Sequence, residues 1–139
     1  MAITVGRLVG DSNFSTTVAL PSGAGSSLST AFDLVGGTLS ENTSFPETVT
    51  AEVAIPADTA LVSGATRVYS LYHDSVSTPT AALPGYSYTV TGTAGNGAAA
   101  TLRWRLPASC ARYLALKIAG GTSGSGDSTA LSATVRLLF

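Results

Sequence analysis

The sequence contains one histidine and one cysteine, and these residues are the first to test for chemistry. His73 is followed directly by Asp74, which invites comparison with a Ser-His-Asp triad. Adjacent residues on a strand point to opposite sides of it, so these two side chains are poorly placed for each other. The chain also lacks a Gly-x-Ser-x-Gly nucleophile elbow. We therefore interpret His73 as a strand-end histidine beside a surface carboxylate, and we expect no enzyme activity.

The residue pattern does not predict a metal site, a nucleotide-binding loop or a reactive thiol. The single His and the single Cys match no zinc-ligand spacing, and the eight acidic residues are too dispersed for a calcium loop. The glycine-rich stretches 92–97 and 121–126 do not lead into a predicted helix that would hold a phosphate. Cys110 lacks an activating basic cluster and is interpreted as a small, inert hydrophobic residue. We expect no metal ion and no cofactor.

The charge balance narrows the choice of partners. Seven basic and eight acidic residues give a net charge of −1, and only 11% of the 139 residues are charged. Nucleic-acid backbones and anionic membrane surfaces are bound by clustered Lys and Arg, which this chain lacks. No stretch has the length of a transmembrane helix, and the first residues do not resemble a secretion signal. A surface with so little charge predicts an oligomer or a component of a larger assembly, made in the cytoplasm.

Apolar and polar residues alternate along most of the chain, which is typical of half-buried β-strands. The alternation is clearest in 49–55, 86–91, 98–106, 112–119 and 129–139, and weaker in 3–9, 16–20, 31–35 and 66–73. Turn residues such as Pro84-Gly85 separate these segments, and the Gly/Ser-rich stretches 21–30 and 120–128 are interpreted as loops. The pattern predicts an all-β fold, with residues 1–139 forming one antiparallel β-sandwich or jelly roll of about eight short strands.

Arg103 and Arg105 flank Trp104 on one predicted strand, so both arginines share the face opposite the tryptophan. Two interpretations stay open. The arginines form an exposed cationic strip that meets an acidic partner, or they are ordinary solvent-facing residues opposite a buried tryptophan. In both cases the alternation places Trp104 largely in the core, in line with Leu102 and Leu106.

Tyr86 and Tyr88 share a face of another predicted strand, and exposed aromatic rings in this arrangement stack on sugars. Packing in a core or an interface is the commoner use of tyrosine. A carbohydrate-binding β-sandwich therefore remains an alternative, and the exposure of Tyr86, Tyr88 and Trp104 distinguishes it.

The order of several short sequence features resembles that of the small capsid cement, or decoration, proteins of tailed bacteriophages and prophages. Over roughly residues 30–139, the features are Ala51-Glu52-Val53-Ala54-Ile55-Pro56, Pro84-Gly85, Val90-Thr91-Gly92, Leu106-Pro107, Arg112-Tyr113-Leu114, Gly120-Gly121-Thr122 and Leu137-Leu138-Phe139. The resemblance implies a jelly-roll or β-sandwich subunit, commonly a homotrimer, that binds the major capsid protein on the exterior of the virion and stabilises the mature shell. Another virion component, such as a tail or head-completion protein, is the alternative.

The first thirteen residues form a candidate contact arm. Ala2–Val9 is short and apolar, and Asp11-Ser12-Asn13 separates it from the next predicted strand. Such a segment must pair with its own sheet or reach a neighbouring molecule, because a free apolar arm exposes unpaired backbone groups. The candidate capsid or subunit contacts are therefore Ile3, Val5, Arg7 and Leu8 in the arm, together with Arg103 and Arg105.

Overall fold

The computed structural model describes residues 10–34, 49–94, 96–121 and 126–138, with the backbone alone defined for residues 10–13. These residues contain no helix. The strands are β1 (Gly10–Ala19), β2 (Ser26–Leu28), β3 (Phe32–Asp33), β4 (Thr50–Ile55), β5 (Thr66–Asp74), β6 (Ala81–Thr91), β7 (Ala100–Arg105), β8 (Tyr113–Gly120) and β9 (Ser132–Leu138). Every pairing between them is antiparallel, so the all-β prediction is confirmed.

The strands form two sheets that share one hydrophobic core. The first sheet has the order β1-β9-β4-β7, and the second has the order β2-β8-β5-β6, with β3 also paired to β8. Both sheets contribute buried side chains to a single cluster, for example Val53 and Val135 from the first sheet and Leu71 and Leu116 from the second. The architecture is an antiparallel β-sandwich.

The alternation in the sequence becomes the two faces of each strand. Ala51, Val53 and Ile55 of β4 are buried against the second sheet, whereas Ala54 between them is exposed. Leu116 of β8 is fully buried on the facing side. Each buried aliphatic side chain of this size contributes about 1.5–3 kcal/mol relative to an exposed one, which is why the periodicity selects the register.

Strand β6 begins earlier than the sequence predicted. It runs from Ala81 through Pro84-Gly85, so the prediction of a turn at these two residues is wrong. The pairing with β5 shifts between Ser70 and Tyr72, where residues 83–86 of β6 lie opposite a single β5 residue. Gly85 has φ +84°, a conformation that L-residues rarely adopt, so the glycine supports a bulge within the strand.

Two further predictions near the N-terminus need correction. The stretch 21–30, interpreted as a loop, contains β2, which pairs with β8. Asp11-Ser12-Asn13 was expected to separate two strands but lies within β1, at a shift in its pairing with β9. The predicted strand 3–9 lies outside the described residues. Only Phe32–Asp33 of the predicted strand 31–35 is a strand within the described part of the chain.

Candidate functional site: a basic face on the first sheet

The outer face of the first sheet carries a row of charged and hydroxyl side chains, which we call the basic face. Its members are outward-pointing residues of four neighbouring strands, namely Ser15, Thr17, Thr50, Glu52, Ala54, Thr101, Arg103, Arg105, Thr134 and Arg136; by register Ala19, Ser132 and the buried Leu138 lie on the same side of the sheet. The charged members of this face are three arginines and one carboxylate, that of Glu52. The chain as a whole has a net charge of −1, so this face differs in sign from the average of the molecule.

Glu52 of β4 lies at the centre of this row. Strand register places it opposite Arg103 of β7 on one side and opposite Arg136 of β9 on the other. Arg103 Nε donates to Glu52 Oε2 at 2.7 Å, and Arg136 donates to Glu52 Oε1 through Nε at 2.7 Å and Nη2 at 2.6 Å. One carboxylate therefore orients two guanidinium groups across three strands, in charge-assisted hydrogen bonds.

The three side chains differ in solvent exposure: the Glu52 carboxylate is buried, and the two arginines that it holds are exposed. The Glu52 side chain is 8% exposed, whereas those of Arg103 and Arg136 are 62% and 47% exposed. The hydrogen bond from Arg103 lowers the pKa of the Glu52 carboxyl, and Arg136 adds to the effect by hydrogen bonding and charge, while partial burial opposes it. The carboxylate is thus held in its charged form, and the arginines keep donors directed to solvent.

A shallow depression of about 330 Å³ adjoins this row. Its lining residues are Ser15, Glu52, Ala54, Thr134 and Arg136. The depression arises because the small residues Ala54 and Thr134 pair directly with each other, next to the longer Glu52–Arg136 pair. The hollow is lined by hydroxyl groups and by the Glu52–Arg136 ion pair, so it offers hydrogen-bond donors and acceptors to a polar group.

The structure places both arginines predicted from the sequence on this face. Arg103 and Arg105 are exposed, and they point away from the inner side of β7, as the alternation predicted. Arg136 was not predicted as a contact residue. The alternation of β9 put it on the polar side of its strand, but only the pairing of β9 with β4 brings it to Glu52. Ile3, Val5, Arg7 and Leu8 lie outside the described residues.

Trp104 faces the core side of β7 and packs against the hydrophobic core, as the alternation predicted, but it is only partly buried. The reason is that β7 is an edge strand of the first sheet. The Tyr86 ring of β6 meets Trp104 edge to face, with ring centroids 6.1 Å apart and planes at 81°. Tyr88, two residues on, is 39% exposed. Perpendicular rings do not form the flat platform on which a sugar ring stacks.

A second polar cluster lies inside the sandwich, at one end. Arg67 of β5 is fully buried and contacts Asp58 through Nε at 3.3 Å. Its guanidinium also donates to the Gly23 and Gly126 backbone oxygens, at 2.7 and 3.3 Å, and to Ser128 Oγ at 3.0 Å. Ser128 Oγ in turn donates to Asp58 Oδ1 at 2.6 Å. The four partners lie on three inter-strand segments, because Gly126 and Ser128 share one, so this cluster fixes three loops to β5.

The side chains of His73, Asp74 and Cys110 have local structural roles. His73 Nδ1 accepts the backbone N–H of Ala111 at 3.1 Å, and Asp74 accepts hydrogen bonds from Ser75 and Thr80 in the following turn. Cys110 is buried, and burial raises the pKa of its thiol to about 11. Within the described ranges, no three His, Cys, Asp or Glu side chains are grouped so as to hold a metal ion.

Fold and site together define an all-β sandwich with a basic, hydroxyl-rich outer face. In the part of the chain that the structure describes, no helix has the length and apolarity that crossing a membrane requires. A scan against protein-family models and searches of curated proteins and of solved structures return no match for this chain.

Proposed function

We propose that this protein is a structural virion component that binds the exterior of a phage capsid and stabilises the mature shell, as a cement protein does. The observation that carries the proposal is the basic face, where Glu52 holds Arg103 and Arg136 in place on a rigid sheet. Side chains that are already ordered lose little freedom when a partner binds. The partner is the major capsid protein, through an acidic patch that meets this face.

Carboxylates of the capsid are the groups that the basic face would bind. The guanidinium groups of Arg103 and Arg136 have donors left over after binding Glu52, and these N–H groups can donate bidentate hydrogen bonds to a carboxylate. A single contact of this kind on an exposed surface is weak, on the order of 1 kcal/mol. Stabilisation of a shell arises because a ligand that binds only the assembled state shifts the equilibrium toward it, and the shell offers many identical sites.

The nested strand pairing supports the jelly-roll form of the sandwich. β1 pairs with β9, β2 and β3 with β8, β4 with β7, and β5 with β6, so each outer pair encloses the next along the chain. If β2 and β3 count as one interrupted strand, two four-stranded sheets result. Capsid and lectin domains use this arrangement of two Greek keys.

The local partners of His73, Asp74 and Cys110 also favour binding over catalysis. Each side chain holds a loop or packs in the core, and none of them faces the depression beside Arg136. The perpendicular rings of Tyr86 and Trp104 give no support to a carbohydrate-binding module. A tail or head-completion protein would share the fold, and the capsid experiment below separates it from a cement protein.

The test is cosedimentation of the purified protein with expanded capsid shells of the phage or prophage that encodes it. We expect saturable binding that weakens as salt rises, because exposed charges are screened. The double variant Arg103→Glu/Arg105→Glu should reduce affinity at least about tenfold, since each like-charge contact costs a large part of the binding energy. Lys117→Glu is the control for a charge reversal elsewhere on the molecule: it makes half the charge change of the double variant, on the second sheet, where Lys117 lies over the Tyr72 ring.

Absence of binding by the unaltered protein would refute the cement function. Binding that the double variant leaves unchanged would refute the basic face as the contact and would point instead to residues 2–9 of the predicted arm, since residues 10–13 lie in β1. Deletion of residues 2–9 then tests that arm, with the melting temperature of the free protein as the measure of folding.

A further inference from the structure

Among the described strands the two sheets have four edges, and a sheet edge can leave backbone groups without a partner strand. β1 and β7 bound the first sheet, and β6 and the β2/β3 side bound the second. On an edge strand, every second residue directs its N–H and C=O away from the sheet, which makes the edge a template for another strand. Soluble proteins protect such edges with charged side chains, bulges, prolines or short strands.

Three of the four edges carry such protection. β7 carries Arg103 and Arg105, and the Tyr86 hydroxyl donates a hydrogen bond to the backbone oxygen of Arg105. β2 and β3 have only three and two residues. β1 changes its register between Gly10 and Ser15, so its edge is irregular.

The edge formed by β6 differs from the other three. The strand has 11 residues and no charged side chain along its length. Its bulge and proline interrupt only the first half, and residues 86–91, Tyr-Ser-Tyr-Thr-Val-Thr, pair regularly with β5 on one side. On their other side, none of the described strands pairs with them. The segment alternates aromatic or β-branched residues with hydroxyl residues, a composition that favours strand pairing.

We propose that residues 86–91 of β6 pair antiparallel with the same segment of a second copy of this chain, across a two-fold axis. The charge pattern of β6 is the reason for choosing a second copy of the chain as the partner strand. Antiparallel self-pairing brings the residues near the two-fold axis close to their own counterparts, so a charged residue there would meet a like charge. A segment without charge is therefore compatible with its own copy, whereas the arginine-bearing edge of β7 is not.

The pairing also covers Tyr88, the large hydrophobic side chain that β6 exposes. Tyr88 is 39% exposed although it shares the inner-face parity of Val90, which is 7% exposed. In the dimer, two Tyr88 rings flank the seam and lose solvent contact, and the second sheets of both copies become one continuous sheet. The contact concerns subunit association and does not depend on capsid binding. A homotrimer needs a different, head-to-tail contact, which this edge does not supply.

The experiment combines sedimentation equilibrium with amide hydrogen exchange, over protein concentrations from about 1 to about 500 µM. We expect a dimer at the upper end of the range, with amides of residues 86–91 exchanging at least about tenfold more slowly there than at the lower end. Tyr88→Lys should give a monomer, because it places like charges at the seam, and it should melt at the same temperature as the unaltered protein at about 1 µM, where both are monomeric. Thr101→Lys, on the exposed face of the β7 edge, is the matched control and should remain a dimer.

Three outcomes would overturn the proposal. The protein stays monomeric throughout the concentration range, or it forms an oligomer that Tyr88→Lys does not change, or the exchange of residues 86–91 does not depend on concentration. If Tyr88→Lys does not fold, the exchange of the unaltered protein decides the question alone. Failure of capsid binding leaves this result untouched, so the two proposals are separable.

Discussion

The hydroxyl of Tyr86 in β6 donates a 2.8 Å hydrogen bond to the backbone oxygen of Arg105 in β7. The bond joins edge strands of opposite sheets, and the same tyrosine ring packs edge to face on Trp104. One side of the sandwich is therefore closed by aromatic side chains that span the gap between the sheets. Replacing single groups in this contact measures how much it stabilises the fold.

Tyr86→Phe should lower the free energy of unfolding by about 0.5–1.5 kcal/mol, the usual net value of one hydrogen bond. The ring contact with Trp104 remains, so the loss reports the bond to Arg105 alone. Urea unfolding followed by tryptophan fluorescence is the measurement. A variant as stable as the unaltered protein would show that water replaces Arg105 as the partner without cost.

Trp104→Ala should cost about 2 kcal/mol, less than the ~3–5 kcal/mol that emptying a fully buried aromatic site costs. The reason is that Trp104 is half-buried on an edge strand. Leu116→Ala, at a fully buried position of β8, should cost about 2–5 kcal/mol and serves as the comparison. Unfolding must be followed by circular dichroism, because the variant lacks the only tryptophan. A larger loss for Trp104→Ala than for Leu116→Ala would contradict the half-buried placement.

Arg67→Met should destabilise the protein by about 3–5 kcal/mol, because it leaves the buried Asp58 carboxylate without its cation. The control is Arg112→Met, which removes the ion pair between Arg112 and Asp33. The Arg112 side chain is 48% exposed and that of Asp33 is 31% exposed. An exposed pair of this kind contributes less than about 1 kcal/mol. Chemical denaturation of both variants gives the two values. Equal losses would show that the three loops held by Arg67 are fixed by other contacts.

Glu52 should make stability depend on acidity. Its pKa in the folded protein is lowered, chiefly by the hydrogen bond from Arg103. The unfolded chain therefore binds the proton more readily than the folded one, and stability falls as pH decreases. The contribution is complete above the ordinary glutamate pKa of 4.5 and disappears as pH falls through the lower, folded value.

Glu52→Gln tests this dependence. At neutral pH it should cost about 1.5–3 kcal/mol, the range for hydrogen bonds to a charged group. The difference from the unaltered protein should shrink below pH 4.5, whereas Asp74 and Asp127, whose pKa values are also lowered, act equally in both proteins. Melting temperatures between about pH 3 and pH 7 give the comparison. A difference that does not vary with pH would contradict the ionised Glu52.

Cys110 should react slowly with a disulfide reagent in the folded protein. Burial raises the pKa of its thiol to about 11, from an ordinary value of 9.0, which reduces the thiolate fraction roughly 100-fold at pH 8. Absorbance with an aromatic disulfide measures the rate, and the same reaction in guanidinium chloride should be at least that much faster. Similar rates in both conditions would show that the thiol is accessible in the folded state.

The sequence by itself determined the local features of this protein. A period of two follows from the geometry of a strand, so β4, β7, β8 and β9 were predicted within a few residues. The same rule put Arg103 and Arg105 on one exposed face. Because both features depend only on near neighbours in the chain, no knowledge of the other strands was needed.

The tertiary structure decided which strands lie side by side. Glu52 meets Arg103 and Arg136 across 51 and 84 residues of chain, and Arg67 meets Ser128 across 61. Hydrophobic periodicity does not encode such pairings, because every half-buried strand has the same alternation and its neighbours depend on topology. The half-buried state of Trp104 has the same origin, since an edge strand leaves its inner-face side chains uncovered on one side.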